Sequence, residues 1–341
     1  MNNERKSTKE IGGSISTVFL TGGTGFIGSH TAEYLLSRGL RVRCLVRPQR
    51  KSLGWLQGLP VETVQGDLLD PASLANILEG ADYIIHVAGV TKAKHPTGYY
   101  LGNVTATQNL LNAAAKVKTL KKFCYISSQT GAGPSPSGKP VTEADPCYPM
   151  TNYAKSKIAA EAVCKEMMDR IPIVIIRPPA VYGPRDTDVF EMYRYVAMGI
   201  RPIIGSSKKT LSLVYGPDLA KGIVEATLSE RTTGETYYIS NQDICAYSKL
   251  IDIIASFSGK KTINVYFPKW LMYAVAAVVQ FVSIFIPKPA VLNIEKARDL
   301  LQEHWDCSPQ KIKDHIGFVT PTPVYEGLKR TYEWYKKNGW L

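Results

Sequence analysis

Tyr153 and Lys157 stand four residues apart in Tyr153-Ala-Lys-Ser-Lys157, and two serines, Ser127 and Ser128, lie about 25 residues upstream. On a helix, residues four apart share a face, so this spacing sets a lysine cation beside a phenol. An unperturbed phenol has a pKa of ~10, too high for reversible proton transfer near neutrality, and a neighbouring cation lowers it by favouring the phenolate. Such a pair can give a proton to a carbonyl oxygen while a hydride reaches the carbon. A serine hydroxyl can hydrogen-bond the same oxygen as charge develops there. The hydride needs a donor. Val18-Phe-Leu-Thr-Gly-Gly-Thr-Gly-Phe-Ile-Gly28 runs from a β-rich apolar stretch into closely spaced glycines where a helix should start. Gly22, Gly25 and Gly28 lack Cβ atoms, which permits a sharp turn and brings backbone N–H groups of the helix start, around Phe26 and Ile27, against a pyrophosphate. The expected occupant is a dinucleotide, although the G-x-x-G-x-x-G spacing differs from the commonest fingerprint.

These groups need a frame that gathers strand ends. Short β-rich runs at Ile15–Leu20, Arg41–Val46, Val61–Gln65, Tyr83–Val87, Lys122–Ile126 and Ile173–Ile176 alternate with helix-period stretches at Phe26–Ser37, Pro71–Leu78, Tyr99–Ala115 and Asn152–Met168. The alternation predicts an α/β fold, a doubly wound parallel sheet of the Rossmann kind. Residues 15–177 are expected to form this dinucleotide-binding domain, with 211–230 returning to it. Residues 1–14, polar and without an apolar core, read as a mobile tail rather than a secretory signal.

From about Ile15 to Leu341 the chain resembles the extended short-chain dehydrogenase/reductases, a superfamily of NAD(P)-dependent epimerases and dehydratases, 3β-hydroxysteroid dehydrogenases and dihydroflavonol reductases. The likeness rests on Thr21 to Gly28, Gly66-Asp67, His86-Val-Ala-Gly89, Tyr125-Ile-Ser-Ser128, the Tyr153/Lys157 pair and Arg177-Pro-Pro-Ala-Val-Tyr-Gly-Pro184. It implies that 178–341 build mainly a smaller, mixed α/β substrate-binding region. It selects Ser128 over Ser127 as the catalytic serine and adds Asn103 as a catalytic support for the lysine through water. Lys157 would also orient the nicotinamide ribose. Asp67 and Leu68 would meet the adenine, Ala88, Gly89 and Pro178 would flank the cofactor, and Gln129, Tyr182 and Arg185 would contact substrate. Dimerisation through a four-helix arrangement is implied as well. Read as residues alone, Asp67 could instead serve the helix start at Pro71, with Asp70 as its cap, and His86 in an apolar strand reads as a packed histidine.

An NAD-preferring site usually carries an acidic residue about 20 positions past the glycine turn. Arg47 stands there, no acidic residue falls between Glu33 and Glu62, and Arg50 and Lys51 follow. A guanidinium suits a 2′-phosphate, so NADP(H) is the expected cofactor and NAD(H) the second choice; a solvated loop edge is the plain alternative.

The reaction is less constrained. Gln129 and Thr130 replace the Asp-Glu pair of sugar-nucleotide dehydratases, and Ala180 replaces the asparagine that holds the sugar nucleotide in many epimerases, although Arg177 and Arg185 could still hold an anionic substrate. Residues 270–286 are uncharged and apolar, too short to span a bilayer comfortably. Three readings stand: a core helix, a helix lining a greasy pocket, or one dipping into a membrane surface. The leading expectation is an NADP(H)-dependent ketone reductase or secondary-alcohol dehydrogenase acting on a hydrophobic substrate. A nucleotide-sugar epimerase is the alternative, and a non-catalytic NADP(H) sensor the third. The formal charge of +12 comes from dispersed lysines and arginines without a nucleic-acid motif, so no nucleic-acid partner is expected. Six cysteines without C-x-x-C spacing predict neither metal nor disulfides, in keeping with a cytoplasmic protein.

Overall fold

A computed structural model of the chain describes residues 15–136, 138–206, 208–286, 290 and 292–341; the 1–14 tail lies outside them. Strands Thr17–Thr21 (β1), Arg41–Val46 (β2), Glu62–Gln65 (β3), Tyr83–His86 (β4), Lys122–Ile126 (β5) and Ile173–Arg177 (β6) join Thr236–Tyr238 in one seven-stranded sheet. All its pairings are parallel, in the order Thr236–Tyr238, β6, β5, β4, β1, β2, β3. The chain therefore leaves β1 in one direction toward β3 and returns on the other side through β4. Ligands of such sheets bind beyond the strand ends at this reversal, between β1 and β4.

The central strands are apolar on both faces because both are covered. Leu20, Ile85, Cys124 and Ile176 point to one face, against Leu35 of the helix Phe26–Ser37 (α1) and Ile223 of the helix Gly216–Leu228. Their neighbours Phe19, Ile84, Phe123 and Ile175 point to the other, against Leu110, Leu111 and Ala160. The period of two in each strand is what separates these cores. In the second half, short strand pairs such as Ile200–Ile204 with Ile263–Phe267 accompany a third cluster around Tyr193, Leu250 and Tyr335.

Four expectations need adjusting. The segment returning to the sheet reaches Tyr238 rather than 230, since buried Tyr237 and Tyr238 form a strand too short to announce itself by alternation. Pro71–Leu74 is only a 3-10 turn, capped by the Asp70 carboxylate accepting from the Ala72 amide. The expected helix Tyr99–Ala115 is broken by a π-helical turn at Leu101–Thr105. Finally, the helix Lys269–Ser283 buries only Met272 and Ala276. It is not a core helix, and it supplies no residue to the catalytic cleft described below.

Candidate active site

Each glycine of the turn after β1 has its own steric reason. Gly22 sits at φ +73°, and a Cβ there would lie 2.7 Å from the Ala88 nitrogen, so the ends of β1 and β4 touch only because it has none. A Cβ on Gly28 would come 2.1 Å from the Gly22 carbonyl oxygen. Gly25 is exposed and caps α1 without a side chain. The first helical bond runs from the Ser29 amide to the Gly25 carbonyl at 3.0 Å, leaving the amides of Phe26, Ile27 and Gly28 ahead of it. Such free amides favour an anion, and the residues present fit the pyrophosphate of a dinucleotide. Gly28→Ala is expected to weaken binding of the dinucleotide, NADH or NADPH, at least ~tenfold, or ~1.4 kcal/mol. A titration giving wild-type affinity would show that the turn is not the phosphate cradle.

Beside this cradle lies a cleft that gathers Ile27 from the start of α1, Gly89, Ser128 and Pro178 from just past the ends of β4, β5 and β6, and Tyr153 and Lys157 from the helix Asn152–Glu166. Thr151 starts that helix by accepting from the Ala154 amide at 3.1 Å, so Tyr153 falls in its first turn and Lys157 one turn later. Lys157 is buried; its ammonium donates to the Ile126 carbonyl at 2.6 Å and lies 4.7 Å from the centre of the Tyr125 ring. Burial lowers its pKa to about 8.

The expected lowering of the tyrosine pKa does not occur in the protein alone. Burial pushes the Tyr153 phenol up to about 12, against the pull of the Ser128 hydroxyl. The lysine has turned its proton toward a backbone carbonyl instead. A phenol so held is an acid that keeps its proton until an alkoxide forms nearby, which suits proton donation during reduction. Ser128 has a further duty: its hydroxyl meets Thr130 Oγ1 at 2.9 Å and caps the short helix Gln129–Ala132.

Asn103 lies in the π-turn and is buried. Its amide accepts from the Val90 nitrogen at 2.7 Å and donates to the Val90 carbonyl at 3.0 Å and Ser156 Oγ at 2.9 Å. Both of its N–H bonds are spent on tying the loop after Gly89 to the Tyr153 helix, so only a second lone pair on Oδ1 remains for the expected water. His86 completes this support. The Thr107 hydroxyl donates to the Asn103 carbonyl at 2.6 Å, so His86 Nε2–H donates to Thr107, and the Thr21 hydroxyl donates to His86 Nδ1. The imidazole stays neutral, with burial lowering its pKa to about 3. It packs rather than reacts.

Toward the adenosine end, Asp67 folds back to accept from the Leu69 amide at 2.9 Å, and the Leu68 carbonyl accepts from Asn109 at 2.9 Å. Asp70, not Asp67, is the cap. Ala88 donates its amide to Thr21 Oγ1 at 3.2 Å. Arg47 is exposed immediately past β2, two residues beyond Leu45, which pairs with Thr21. Arg50 donates to the Ser52 carbonyl at 2.9 Å, within the loop that approaches Thr24 at Gly54.

The residues expected to contact substrate are engaged within the protein. Arg177 is buried in a two-pronged ion pair with Glu161, Nε to Oε1 at 2.8 Å and a terminal nitrogen to Oε2 at 2.6 Å. Arg185 pairs with Glu33 at 2.5 Å, donates to Ser29 and lies over the Trp55 ring. Arg177 is held by Glu161, and Arg185 has both terminal nitrogens engaged, with its buried Nε left without a partner among the described residues. Tyr182 is fully buried with its hydroxyl against the Val324 carbonyl, and Gln129 is buried outside the cleft lining. Residue types alone could not foresee which acids would claim the arginines.

The model described as the NAD dependent epimerase/dehydratase family matches residues 18–240. The chain belongs to this family. Among curated relatives of this epimerase/dehydratase enzyme, a ceramide reductase from Caulobacter vibrioides is 28% identical, covering 95% of this chain and 96% of the relative. A 2-alkyl-3-oxoalkanoate reductase from Shewanella oneidensis is 28% identical across 96% of this chain and 88% of its own length. A UDP-glucuronic acid 4-epimerase from Bacillus cereus, solved in complex with NAD, shares the fold at a TM-score of 0.75 and 22% identity, covering 94% of this chain and 99% of that one. The protein is thus an NAD(P)-dependent enzyme, an oxidoreductase or an epimerase, of a family that acts on small molecules. Sequence reasoning missed Thr91, Pro179 and Val181 in the cleft wall, and Glu161 behind it, although Glu161 continues the four-residue spacing of Tyr153 and Lys157.

Proposed function

We propose that this enzyme transfers a hydride between NADP(H) and the ketone or secondary alcohol of a hydrophobic substrate, with Tyr153 as proton donor, Ser128 steadying the oxygen and Lys157 holding the ribose side. The observation that carries the reading is the cleft wall: besides the polar catalytic groups it is built from Ile27, Val87, Ile126, Pro178, Pro179 and Val181, and among the described residues Lys157 is the one charged group lining it. A sugar nucleotide would need cations, and Arg177 and Arg185 are already paired. The names of the two relatives, which describe reductases of ceramide and of a 2-alkyl-3-oxoalkanoate, agree with a lipophilic substrate. Six free thiols suit a reducing, cytoplasmic setting, and a homodimer is the assembly we expect.

Absorbance of reduced nicotinamide is followed with hydrophobic ketones and UDP-sugars in parallel. Ketone-dependent oxidation of NADPH supports the reductase; interconversion of UDP-sugars with no net oxidation replaces it with the epimerase. For the cofactor, Arg47→Asp lowers the NADPH/NADH selectivity ratio roughly 10- to 100-fold, the loss of one hydrogen bond to a charged group. An unchanged ratio removes Arg47 from the phosphate site.

A further inference from the structure

The helix Lys269–Ser283 and the turn after it expose what such residues usually hide. Trp270 is 70% exposed, Val278 and Phe281 are each 63% and Phe285 is 76%, and Val282, Ile284 and Ile286 add to the same surface. Tyr266 and Ile263, on the strand leading into it, are exposed as well. A contiguous apolar surface of this kind marks a binding face. No helix among the described residues is long and apolar enough to cross a membrane.

We propose that this face lies in the surface of a membrane bearing anionic lipid. Charge selects that occupant. Lys260, Lys261, Lys269, Lys296 and Arg298 flank the helix in sequence; of the two acids beside them, Glu295 is turned inward, accepting from the Asn152 amide at 3.1 Å and its side chain at 2.7 Å, and Asp299 has a carboxylate oxygen buried within the protein. A second copy of this chain would bring like charges together, whereas anionic headgroups neutralise them. Lys94 donates to the carbonyls of Ile284 and Ile286, each at 3.1 Å, satisfying acceptors that would otherwise enter the lipid boundary bare. A short amphipathic helix with aromatic and basic residues at its edge lies in the interfacial plane.

The placement also bears on catalysis, and this part rests on the reductase reading. Gly89 and Thr91 line the cleft, and three residues later Lys94 holds the end of the exposed helix. On the other side Glu295 docks on the start of the Tyr153 helix. The apolar face is therefore tied to two elements that also carry cleft residues, which places the cleft near the lipid from which a lipophilic ketone would come.

Full-length protein is sedimented with vesicles of phosphatidylcholine alone and of phosphatidylcholine with phosphatidylglycerol. The expected result is binding to the anionic vesicles, at least tenfold weaker on neutral ones, and loss of binding in a Val278→Asp/Phe281→Asp variant that keeps wild-type NADPH affinity and circular dichroism. Binding equal on both vesicles, or unchanged in the variant, overturns the proposal. So does a wild-type dimer that the same variant turns into a monomer, since the face would then be an interface between copies. No outcome depends on turnover, so failure here and failure of the reductase reading are separable.

Discussion

Tyr153→Phe lowers NADPH-dependent turnover by roughly two to four orders of magnitude, the usual share of a positioned general acid, while NADPH affinity stays near wild type. The phenol is in the first turn of the helix Asn152–Glu166, and burial pushes its pKa up to about 12, so it keeps its proton until an alkoxide forms beside it. Lys157 gives the pH profile. Burial has lowered its pKa to about 8, so below that value the cleft holds an ammonium on the helix turn after Tyr153 and above it the charge is lost. On the proposed reductase reading, the rate of ketone reduction is therefore expected to fall as pH rises through about 8. Steady-state kinetics on both proteins across neutral to alkaline pH test the pair: a Phe variant within a few fold of wild type removes Tyr153 from the proton path, and a profile flat across that region removes the lysine charge from the rate.

What could be read beforehand follows the range of the forces involved. The glycine turn was legible because Gly22 and Gly28 answer local constraints, a left-handed backbone and a backbone oxygen in close contact, which residue type reports directly. The parallel sheet was legible because strands covered on both faces are apolar throughout. The ion pairs were not, because Arg177 finds Glu161 sixteen residues away and Arg185 finds Glu33 across most of the domain, and nothing in the local sequence names those partners. The π-turn around Asn103 is set by the bonds to Val90 and Ser156 rather than by helix propensity. The apolar helix after Pro268 left three readings open, and the structure removes the core helix from them. Apolar periodicity says that a face avoids water, not what covers it.

Glu161→Ala has the largest expected cost in stability. Glu161 lies one turn beyond Lys157, and its carboxylate takes a hydroxyl hydrogen bond from Ser127 at 2.5 Å and both prongs of Arg177, with pair members only 2% and 3% exposed. Three elements that build the cleft, the ends of β5 and β6 and the Tyr153 helix, meet at this one carboxylate. Truncation leaves a buried guanidinium with only the Cys147 sulfur at 3.2 Å and the Tyr238 hydroxyl at 3.4 Å. Removing one partner of a buried pair costs about 3–5 kcal/mol, whereas replacing both by apolar residues of similar volume is often neutral. Urea unfolding is therefore expected to show a large loss for Glu161→Ala and substantial recovery in Glu161→Leu/Arg177→Met. The double variant still lacks the anchor on Ser127, beside Ser128, so its kcat falls further than its KM rises even where stability has returned. A single variant that loses less than ~1 kcal/mol would mean that water or a local shift already solvates Arg177, and that the floor of the site is looser than the bonds on Glu161 imply.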